Sequence, residues 1–161
     1  MSNVLSGLCR EVKQNGNAKA KVVITLYRLA TCFRSKNPFV KLLGVPFVIL
    51  NKVINEWLFC VEIPWQTRIG AGLKIYHAHC IVLNRDTVIG HDCILRHGVT
   101  IGNATDDGGS PTVGDNVEFG ANAIAIGDIT LGNGAKVGAG AVVTKDLAEQ
   151  QIAVGQRCRV L

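Results

Sequence analysis

The sequence predicts an all-β repeat domain, a parallel β-helix, preceded by an α-helical segment at the N-terminus. Three observations predict this fold class. Large aliphatic residues recur every six residues from Ile63 to Val143, glycine often follows them directly, and small or β-branched residues occupy the position four residues further on. An internal period of this kind is stronger evidence for a fold than any single motif.

The six-residue period indicates strands, because an amphipathic helix would repeat its apolar residues at spacings of three and four. Side chains along a strand alternate between its faces, so the large and the small residue of each repeat both point inward only if the strand bends between them. Glycine permits such bends. Stacked coils of three short strands would then number roughly four to five around an aliphatic interior. The alternative, a β-sandwich, has turn signals roughly every 8–12 residues and no fixed phase.

The first position of the repeat advances by six residues except at two places. It advances by eight from Ile75 to Leu83 and by twelve from Ile101 to Val113. The residues at this position are Ile63, Ile69, Ile75, Leu83, Ile89, Leu95, Ile101, Val113, Phe119, Ala125, Leu131, Val137 and Val143. Those at the fifth position are Thr67, Thr87, Cys93, Val99, Val117, Ala123, Ala135 and Ala141. We expect both sets to point into the interior.

The eight-residue step predicts a bulge that presents His77 outward. In that case Ile75 and Leu95 begin equivalent strands of adjacent coils. The imidazoles of His77 and His97 then lie side by side, since stacked strands are about 4.8 Å apart. His79 falls at an inward position, so it either lies in the bulge or is a buried structural histidine.

Charge divides the chain into two parts. Residues 1–60 hold nine Lys and Arg against two Glu, a net charge of +7, whereas residues 61–161 hold eight Lys and Arg against ten Asp and Glu, a net charge of −2. We therefore expect an N-terminal helical segment at 1–60 and the β-helix with a C-terminal tail at 61–161. No basic face with stacking aromatic residues is evident, which argues against a nucleic-acid partner.

The N-terminal part reads as a loosely ordered stretch, residues 1–17, and then a helix from Ala18 to about Ser35. A second apolar segment, 39–59, contains Pro46, which is expected to start, kink or divide a helix. Two roles stay open for this segment. It packs across the open end of the coil stack, or it lies in a membrane interface with basic residues around it. The apolar side chains for that contact are Phe39, Phe47, Val48 and Trp57.

The six cysteines show neither close pairing nor zinc-finger spacing. The N-terminus shows no early apolar run followed by a small-residue cleavage site. These features predict a cytoplasmic protein with free thiols. Cys80 is expected to be a small buried side chain.

Three stretches carry a resemblance to a known family: Glu62-Ile63-Pro64, Ile75-Tyr76-His77-Ala78-His79-Cys80 and Leu95-Arg96-His97-Gly98-Val99-Thr100-Ile101-Gly102. From about Glu62 to Leu161, with Ala153-Val154-Gly155 and Arg159-Val160 in the tail, the chain resembles the left-handed β-helix acyltransferases with hexapeptide repeats. It is similar to serine acetyltransferases and most similar to the short capsular and colanic-acid polysaccharide O-acetyltransferases. The left hand enters only through this resemblance, because parallel crossovers are ordinarily right-handed.

The family places a carboxylate fifteen residues before its catalytic histidine, and Glu62 and His77 match that spacing, although the family usually has Asp. The resemblance thus implies His77 as general base and Glu62 as the carboxylate that orients it. A neutral imidazole can take the proton of an alcohol that attacks a thioester. A carboxylate on the other ring nitrogen fixes the tautomer. His97 is expected to bind the acceptor or to depress the pKa of His77 by like-charge repulsion, unless it only faces solvent.

The resemblance also implies acetyl-CoA, whose pantetheine arm lies in the groove between two β-helices of a homotrimer in this family. Family contacts there come mostly from backbone amides, so the matching positions are small, and a lysine could meet a phosphate as a point charge. The expected cofactor-binding residues are Gly102, Asn103, Gly120, Ala121, Gly138, Ala139 and Lys145. One carbonic anhydrase class shares the fold and binds zinc, but its histidine spacing differs from that found here, and no metal is expected.

The loop from Asn103 to Thr112 bears on the acceptor. In serine acetyltransferases the matching loop ends in Asp-Arg-His-Pro, and the Arg and His help to hold the amino acid. Here it reads Gly108-Gly109-Ser110-Pro111, which leaves a serine carboxylate without a bidentate partner. We therefore expect acetyl transfer to a sugar hydroxyl of a capsular polysaccharide, an exopolysaccharide or a precursor, at the inner face of the membrane. The alternatives are a serine O-acetyltransferase and a non-catalytic β-helix scaffold.

Overall fold

Short parallel strands wind into about five coils, and a group of helices precedes them in the chain. The computed structural model describes residues 2–155, so the tail pair Arg159-Val160 lies outside the described residues. In chain order the strands are β1 (Val61–Glu62), β2 (Arg68–Ile69), β3 (Lys74–Ile75), β4 (Ile81–Leu83), β5 (Val88–Ile89), β6 (Ile94–Leu95), β7 (Thr100–Gly102), β8 (Thr112–Val113), β9 (Glu118–Phe119), β10 (Ile124–Ile126), β11 (Thr130–Leu131), β12 (Lys136–Val137), β13 (Val142–Val143) and β14 (Ile152–Ala153).

The strands form three sheets, one on each side of the coil. The first sheet has the order β1-β4-β7-β10-β13, the second β11-β8-β5-β2 and the third β14-β12-β9-β6-β3. Every pairing is parallel, and each joins residues of successive coils, as Ile75 pairs with Leu95. The parallel β-helix predicted from the six-residue period is confirmed.

The interior consists of the two sets of side chains that the repeat predicts. All thirteen residues of the first position and all eight of the fifth position are buried. They form one continuous cluster from Val61 to Val143, which also includes part of the second helix. Burial of these aliphatic ladders supplies the main stabilisation, since apolar area removed from water contributes about 25 cal/mol per Å².

Two corners of the coil each carry one residue with a positive φ in every turn. One corner ladder lies between the third and first sheets and consists of Cys60, Cys80, Gly98, Asn122 and Gly140. The other lies between the second and third sheets and consists of Gly72, Asp92, Asn116, Gly134 and Gln150. Within residues 2–155, the positive φ angles that belong to neither ladder are those of His77 and Gly127. His77 is therefore an exception to the repeating backbone.

The N-terminal part contains three α-helices, α1 (Ser2–Gln14), α2 (Ala18–Ala30) and α3 (Pro38–Leu50). A 3₁₀ turn at Thr31–Arg34 follows α2, and a π-helical segment at Asn51–Leu58 continues α3. Asn17 caps α2 by accepting from the backbone N–H of Ala20. Pro46 lies inside α3, so the segment is not divided there.

The expectation of a loosely ordered start is wrong, because α1 docks on the first coil. The buried Glu11 carboxylate accepts hydrogen bonds from the backbone N–H groups of Gly72 and Leu73 and from Arg28 of α2. Arg28 in turn donates to the carbonyl oxygens of Ile69 and Gly70. The end of a stack exposes such unpaired peptide groups, and here side chains of α1 and α2 satisfy them.

Of the two roles left open for residues 39–59, capping of the coil end belongs mainly to α2. Val23, Ile24 and Tyr27 join the core cluster, and the Tyr27 hydroxyl donates to the Thr67 carbonyl at 2.7 Å. Burial raises the pKa of the Tyr27 phenol, with the Arg28 charge opposing that effect. By contrast, α3 packs on α2 and the 3₁₀ turn, and only the π-helical segment reaches β1.

Candidate active site

His77 and His97 lie side by side on the outside of the coil, as the repeat predicts. Ile75 and Leu95 are register partners in the third sheet, and each histidine follows its partner by two residues. The ring centroids are 5.8 Å apart and the ring planes meet at 76°. The two imidazoles therefore form one pair that a substrate can contact from solvent.

A bulge between β3 and β4 positions His77. The Tyr76 N–H donates to the Leu95 carbonyl, whereas the Gly98 N–H donates to the His79 carbonyl, so the first coil inserts two residues more than the second. Ala78 turns inward and is buried, and His77 is exposed with a φ of 54°. Histidine tolerates this left-handed region better than most residues, but it costs energy. Such strain is often retained at functional sites.

His97 is half-buried, and its Nδ1 atom is shielded from solvent without a hydrogen-bond partner within residues 2–155. A buried polar atom in that state calls for an explanation, because burial without a partner costs about 1–3 kcal/mol. Because Nδ1 is shielded, a substrate could reach only the other ring nitrogen, Nε2. The binding role of His97 therefore stays a prediction.

Glu62 is exposed on β1 and lines a cleft of about 430 Å³ between the first sheet and the π-helical segment. Burial raises the pKa of the neighbouring Glu56 carboxyl, Lys52 opposes that effect, and the charge of Glu62 adds to it. Trp65 and Arg85 lie on the same cleft. Within the described chain no hydrogen bond joins Glu62 to His77, so the orienting role of Glu62 stays a prediction.

A groove of about 480 Å³ runs along the third sheet and the corner beyond it. Four of the seven residues expected to bind the cofactor line this groove: Gly120, Ala121, Gly138 and Ala139. The N–H of Asn122 donates to the His97 carbonyl, and that of Gly140 donates to the Ala121 carbonyl. Ala121 and Ala139 therefore continue the line of His77 and His97, one coil at a time, at steps of about 4.8 Å.

Charged residues on the groove were not anticipated. The groove is also lined by the charged residues Arg96, Glu118 and Lys136 and by the apolar Ile152. Arg96 pairs with Glu118 at 3.1 Å and lies over the ring of Tyr76 at 5.0 Å. The sequence does indicate their position. Glu118, Lys136 and Ile152 each precede an inward residue of the third sheet, so their side chains point outward. The resemblance to the family instead implies Lys145 as the cation for a phosphate group.

The other three expected cofactor residues lie at a different edge. Gly102 ends β7, Asn103 follows it, and Lys145 comes two residues after β13, all at the corner between the first and second sheets. Asn103 accepts a hydrogen bond from the Asn84 amide at 2.7 Å. The expected set is therefore divided between two corners of the chain, which lie on either side of the first sheet.

The remaining candidates have local roles. His79 lies in the bulge and is exposed, with Nδ1 3.4 Å from Lys19 Nζ and 3.3 Å from the Phe59 carbonyl. Cys80 is exposed on its corner ladder, which corrects the expectation of burial, because Ala78 takes the inward position. His91 accepts from the Ala71 N–H at 3.2 Å. Within residues 2–155 no three His, Cys, Asp or Glu side chains are grouped as metal ligands would be.

The acceptor loop leaves no room for a side chain at Gly109. A Cβ atom there would lie 2.7 Å from the Cβ atom of Asp128. The Arg of the serine acetyltransferase loop matches Gly109 and could not occupy this position without moving Asp128. The absence of that Arg therefore agrees with the local packing.

Known proteins share both the sequence and the shape of this chain. Residues 110–145 match the family model described as bacterial transferase hexapeptide, six repeats. The chain is 40% identical over 142 residues to the Escherichia coli K12 acetyltransferase WcaB, which is provisionally assigned to colanic acid biosynthesis; the match covers 86% of this chain and 88% of that protein. It is 39% identical over 103 residues to the Helicobacter pylori serine acetyltransferase, a match covering 63% of this chain and 60% of that one.

Solved structures give the same result. The soybean serine acetyltransferase apoenzyme has a TM-score of 0.78 at 28% identity and covers 100% of this chain and 70% of its own. A serine acetyltransferase in complex with CoA has a TM-score of 0.79 at 26% identity, covering 99% and 70%. The chain belongs to the hexapeptide-repeat acyltransferases with a left-handed parallel β-helix, and it is an acetyltransferase.

Proposed function

We propose that this acetyltransferase transfers the acetyl group of acetyl-CoA to a sugar hydroxyl of a surface polysaccharide or its precursor. The observation that carries the proposal is the line of His77, His97, Ala121 and Ala139 along one corner. It sets a candidate base beside a groove with small walls. The 40% identity to WcaB supports a glycan acceptor.

Acetyl-CoA fits this groove by its chemistry. Ala121 and Ala139 leave the backbone accessible beside the pantetheine arm, and Lys136 supplies a positive charge at the groove for a phosphate group. The thioester would supply the acetyl group. Because Gly102, Asn103 and Lys145 lie at the other corner, we propose that they complete the site from a neighbouring chain of a homotrimer.

The proposed reaction is a direct transfer. His77 takes the proton of the acceptor hydroxyl while its oxygen attacks the thioester carbonyl carbon, forming a C–O bond. The C–S bond then breaks, and the imidazolium returns the proton to the leaving thiolate. Glu62 would hold the ring in the required tautomer once substrate closes the distance, since catalytic hydrogen bonds often tighten only in the complex. His97 would bind the acceptor through its other ring nitrogen, Nε2, because Nδ1 is shielded from solvent.

A serine acceptor is the second candidate, favoured by the similarity to serine acetyltransferase structures. The packing of Gly109 against Asp128 weighs against it, because the arginine that would hold a carboxylate has no room at this position. A non-catalytic scaffold would not explain the strained backbone of His77.

The test is CoA release from acetyl-CoA with a panel of acidic and neutral oligosaccharides, lipid-linked sugars and L-serine, followed by mass detection of the product. We expect a sugar product with a mass gain of one acetyl group. Serine turnover as fast as that on the best sugar would overturn the acceptor assignment. If CoA is released although no compound of the panel becomes acetylated, the protein hydrolyses acetyl-CoA and the transferase mechanism is overturned.

A further inference from the structure

The outward face of α3 and the π-helical segment is apolar although the protein leaves it uncovered. Phe39 is 78% exposed, Leu42 69% and Trp57 73%. Over Pro38–Leu58, 21 residues, the mean hydropathy reaches 1.4 while only 17% of the most apolar window is buried. By length and composition this is the one helix of residues 2–155 that could cross a membrane. An exposed apolar surface that extends along a helix of 21 residues marks an interaction site.

Two opposite stripes run along this helix. The inner stripe contacts the protein at positions spaced by three and four residues. Gly44 lies so close to the 3₁₀ turn that a Cβ atom would come within 2.5 Å of the Phe33 nitrogen. Asn51 donates to the Ile63 carbonyl, and Asn55 donates to the Val23 carbonyl. The outer stripe, also at helical spacing, consists of Phe39, Leu42, Leu43, Pro46, Ile49, Leu50, Val53 and Trp57.

The inner stripe excludes a spanning orientation for the folded protein. Its contacts hold the helix lengthwise against α2 and β1 from Gly44 to Asn55, and the two buried asparagines bond to backbone groups of the domain. A helix that crossed a bilayer would have to leave all of them. Lying flat keeps them and still places the outer stripe in the acyl region, as interfacial helices do.

The charges around the outer stripe identify the kind of surface. Lys36 and Lys41 are exposed beside it, whereas Glu56, the single acidic residue between positions 31 and 60, lines the cleft together with Lys52. Exposed cations at the edge of an apolar stripe match anionic lipid headgroups. A second copy related by a two-fold axis would instead bring its own lysines against these.

We infer that the outer stripe of α3 and the π-helical segment docks the enzyme flat on an anionic lipid surface. Of the four side chains expected from the sequence, Phe39 and Trp57 belong to the contact. Phe47 and Val48 do not, because they are half-buried against the protein. The cleft with Glu62 lies on the flank of the same helix, so docking would bring lipid-linked acceptors near it. The docking itself does not depend on the proposed acceptor.

Flotation of the full-length protein with vesicles tests the inference. We expect binding to vesicles of phosphatidylcholine with about 30% phosphatidylglycerol and at least tenfold weaker binding to pure phosphatidylcholine. Leu42→Glu/Ile49→Glu should weaken binding at least tenfold. Its matched control, Val88→Glu/Val142→Glu, adds the same charge at exposed valines of the coil and should stay within twofold of the parent. An equal loss of vesicle binding in the two double variants would overturn the assignment of the outer stripe as the lipid contact.

Two further readouts separate the rival occupants. In Trp65→Phe protein, Trp57 is the remaining tryptophan, and its emission should shift to the blue on anionic vesicles. Bound protein should be released by an alkaline carbonate wash; retention would show a spanning helix and overturn the flat orientation. A smaller particle mass of Leu42→Glu/Ile49→Glu without vesicles would show that the stripe joins chains, which also overturns the inference.

Discussion

The imidazole ring of His77 lies 5.8 Å from that of His97, at an interplanar angle of 76°, because both follow register partners of adjacent coils by two residues. The two histidines differ in backbone conformation and in exposure. His77 sits on a left-handed backbone and is exposed, whereas His97 is half-buried with a shielded Nδ1 atom. This asymmetry suits a division of labour in which one ring moves the proton and the other holds the acceptor.

Replacement of His77 by alanine should lower kcat by about 10²–10⁴-fold, which is the usual contribution of a general base. Initial rates of CoA release at saturating substrates, with CoA binding measured by calorimetry, provide the check. His91→Ala removes another exposed histidine at a different corner and should retain parental activity. A folded His77→Ala protein that binds CoA and works within tenfold of the parent would refute the assignment.

Glu62→Gln extends the same experiment. It should cost less than His77→Ala, because the carboxylate orients the ring and does not receive the proton itself. The double variant should be no slower than His77→Ala alone, since residues that act as a unit give non-additive losses. Additive losses would place Glu62 in another role, such as acceptor binding in its cleft.

The strained backbone of His77 should appear as a stability difference. Glycine adopts a φ of 54° without strain, so His77→Gly should be about 1 kcal/mol more stable than His77→Ala. Urea unfolding of the two variants measures this. At Thr144, which is exposed and has no positive φ, the order should reverse, because glycine there only adds entropy to the unfolded chain. The same order at both positions would contradict the strain.

The groove should lose its affinity for acetyl-CoA when a small wall residue becomes large. Ala139→Trp should raise KM for acetyl-CoA at least tenfold, because an indole would fill the space beside the backbone of the groove. Steady-state kinetics against acetyl-CoA concentration test it. Ala148→Trp makes the same change at an exposed alanine outside the groove and should leave KM unaltered. Unchanged KM in Ala139→Trp would move the cofactor site elsewhere.

The protein should form a trimer. The expected cofactor residues divide between two corners of one chain, and a neighbouring chain in a trimer would bring the two sets together in one groove. Three chains of 17.2 kDa give a particle of about 52 kDa, which light scattering on purified protein can measure. A particle of single-chain mass that still turns over acetyl-CoA would rule out the shared site.

The buried thiol of Cys93 should make stability fall at alkaline pH. Burial raises its pKa to about 11, whereas an unfolded thiol titrates near 8.5. The folded state thus holds a proton that the unfolded chain releases, and stability present below about pH 8.5 is lost as the pH rises. Relative to Cys93→Ala, the parent should lose up to about 2 kcal/mol between pH 8 and pH 10. Urea unfolding at both pH values tests this, with the exposed Cys80→Ala as control for loss of a thiol; an unchanged difference would contradict the shift.

The six-residue ladder, the pairing of Ile75 with Leu95 and the outward position of His77 followed from the sequence alone. A repeat that buries two side chains in every six leaves the register of successive coils little freedom, so spacing along the chain determines position in space. Four of the seven expected cofactor residues fall in one groove for the same reason.

Tertiary contacts decided the rest. The α1 helix gains its place from Glu11, whose partners Arg28, Gly72 and Leu73 are distant in sequence, so no local pattern announced it. The two-residue slip could be located only to within a few positions, and the choice of Ala78 for the interior left Cys80 outside. Likewise, α2 packs over the end of the coil stack and α3 packs on α2, so the apolar stripe of α3 faces solvent. Local spacing determines a repeating core, but which of two apolar helices covers its end depends on the energy of packing between whole elements.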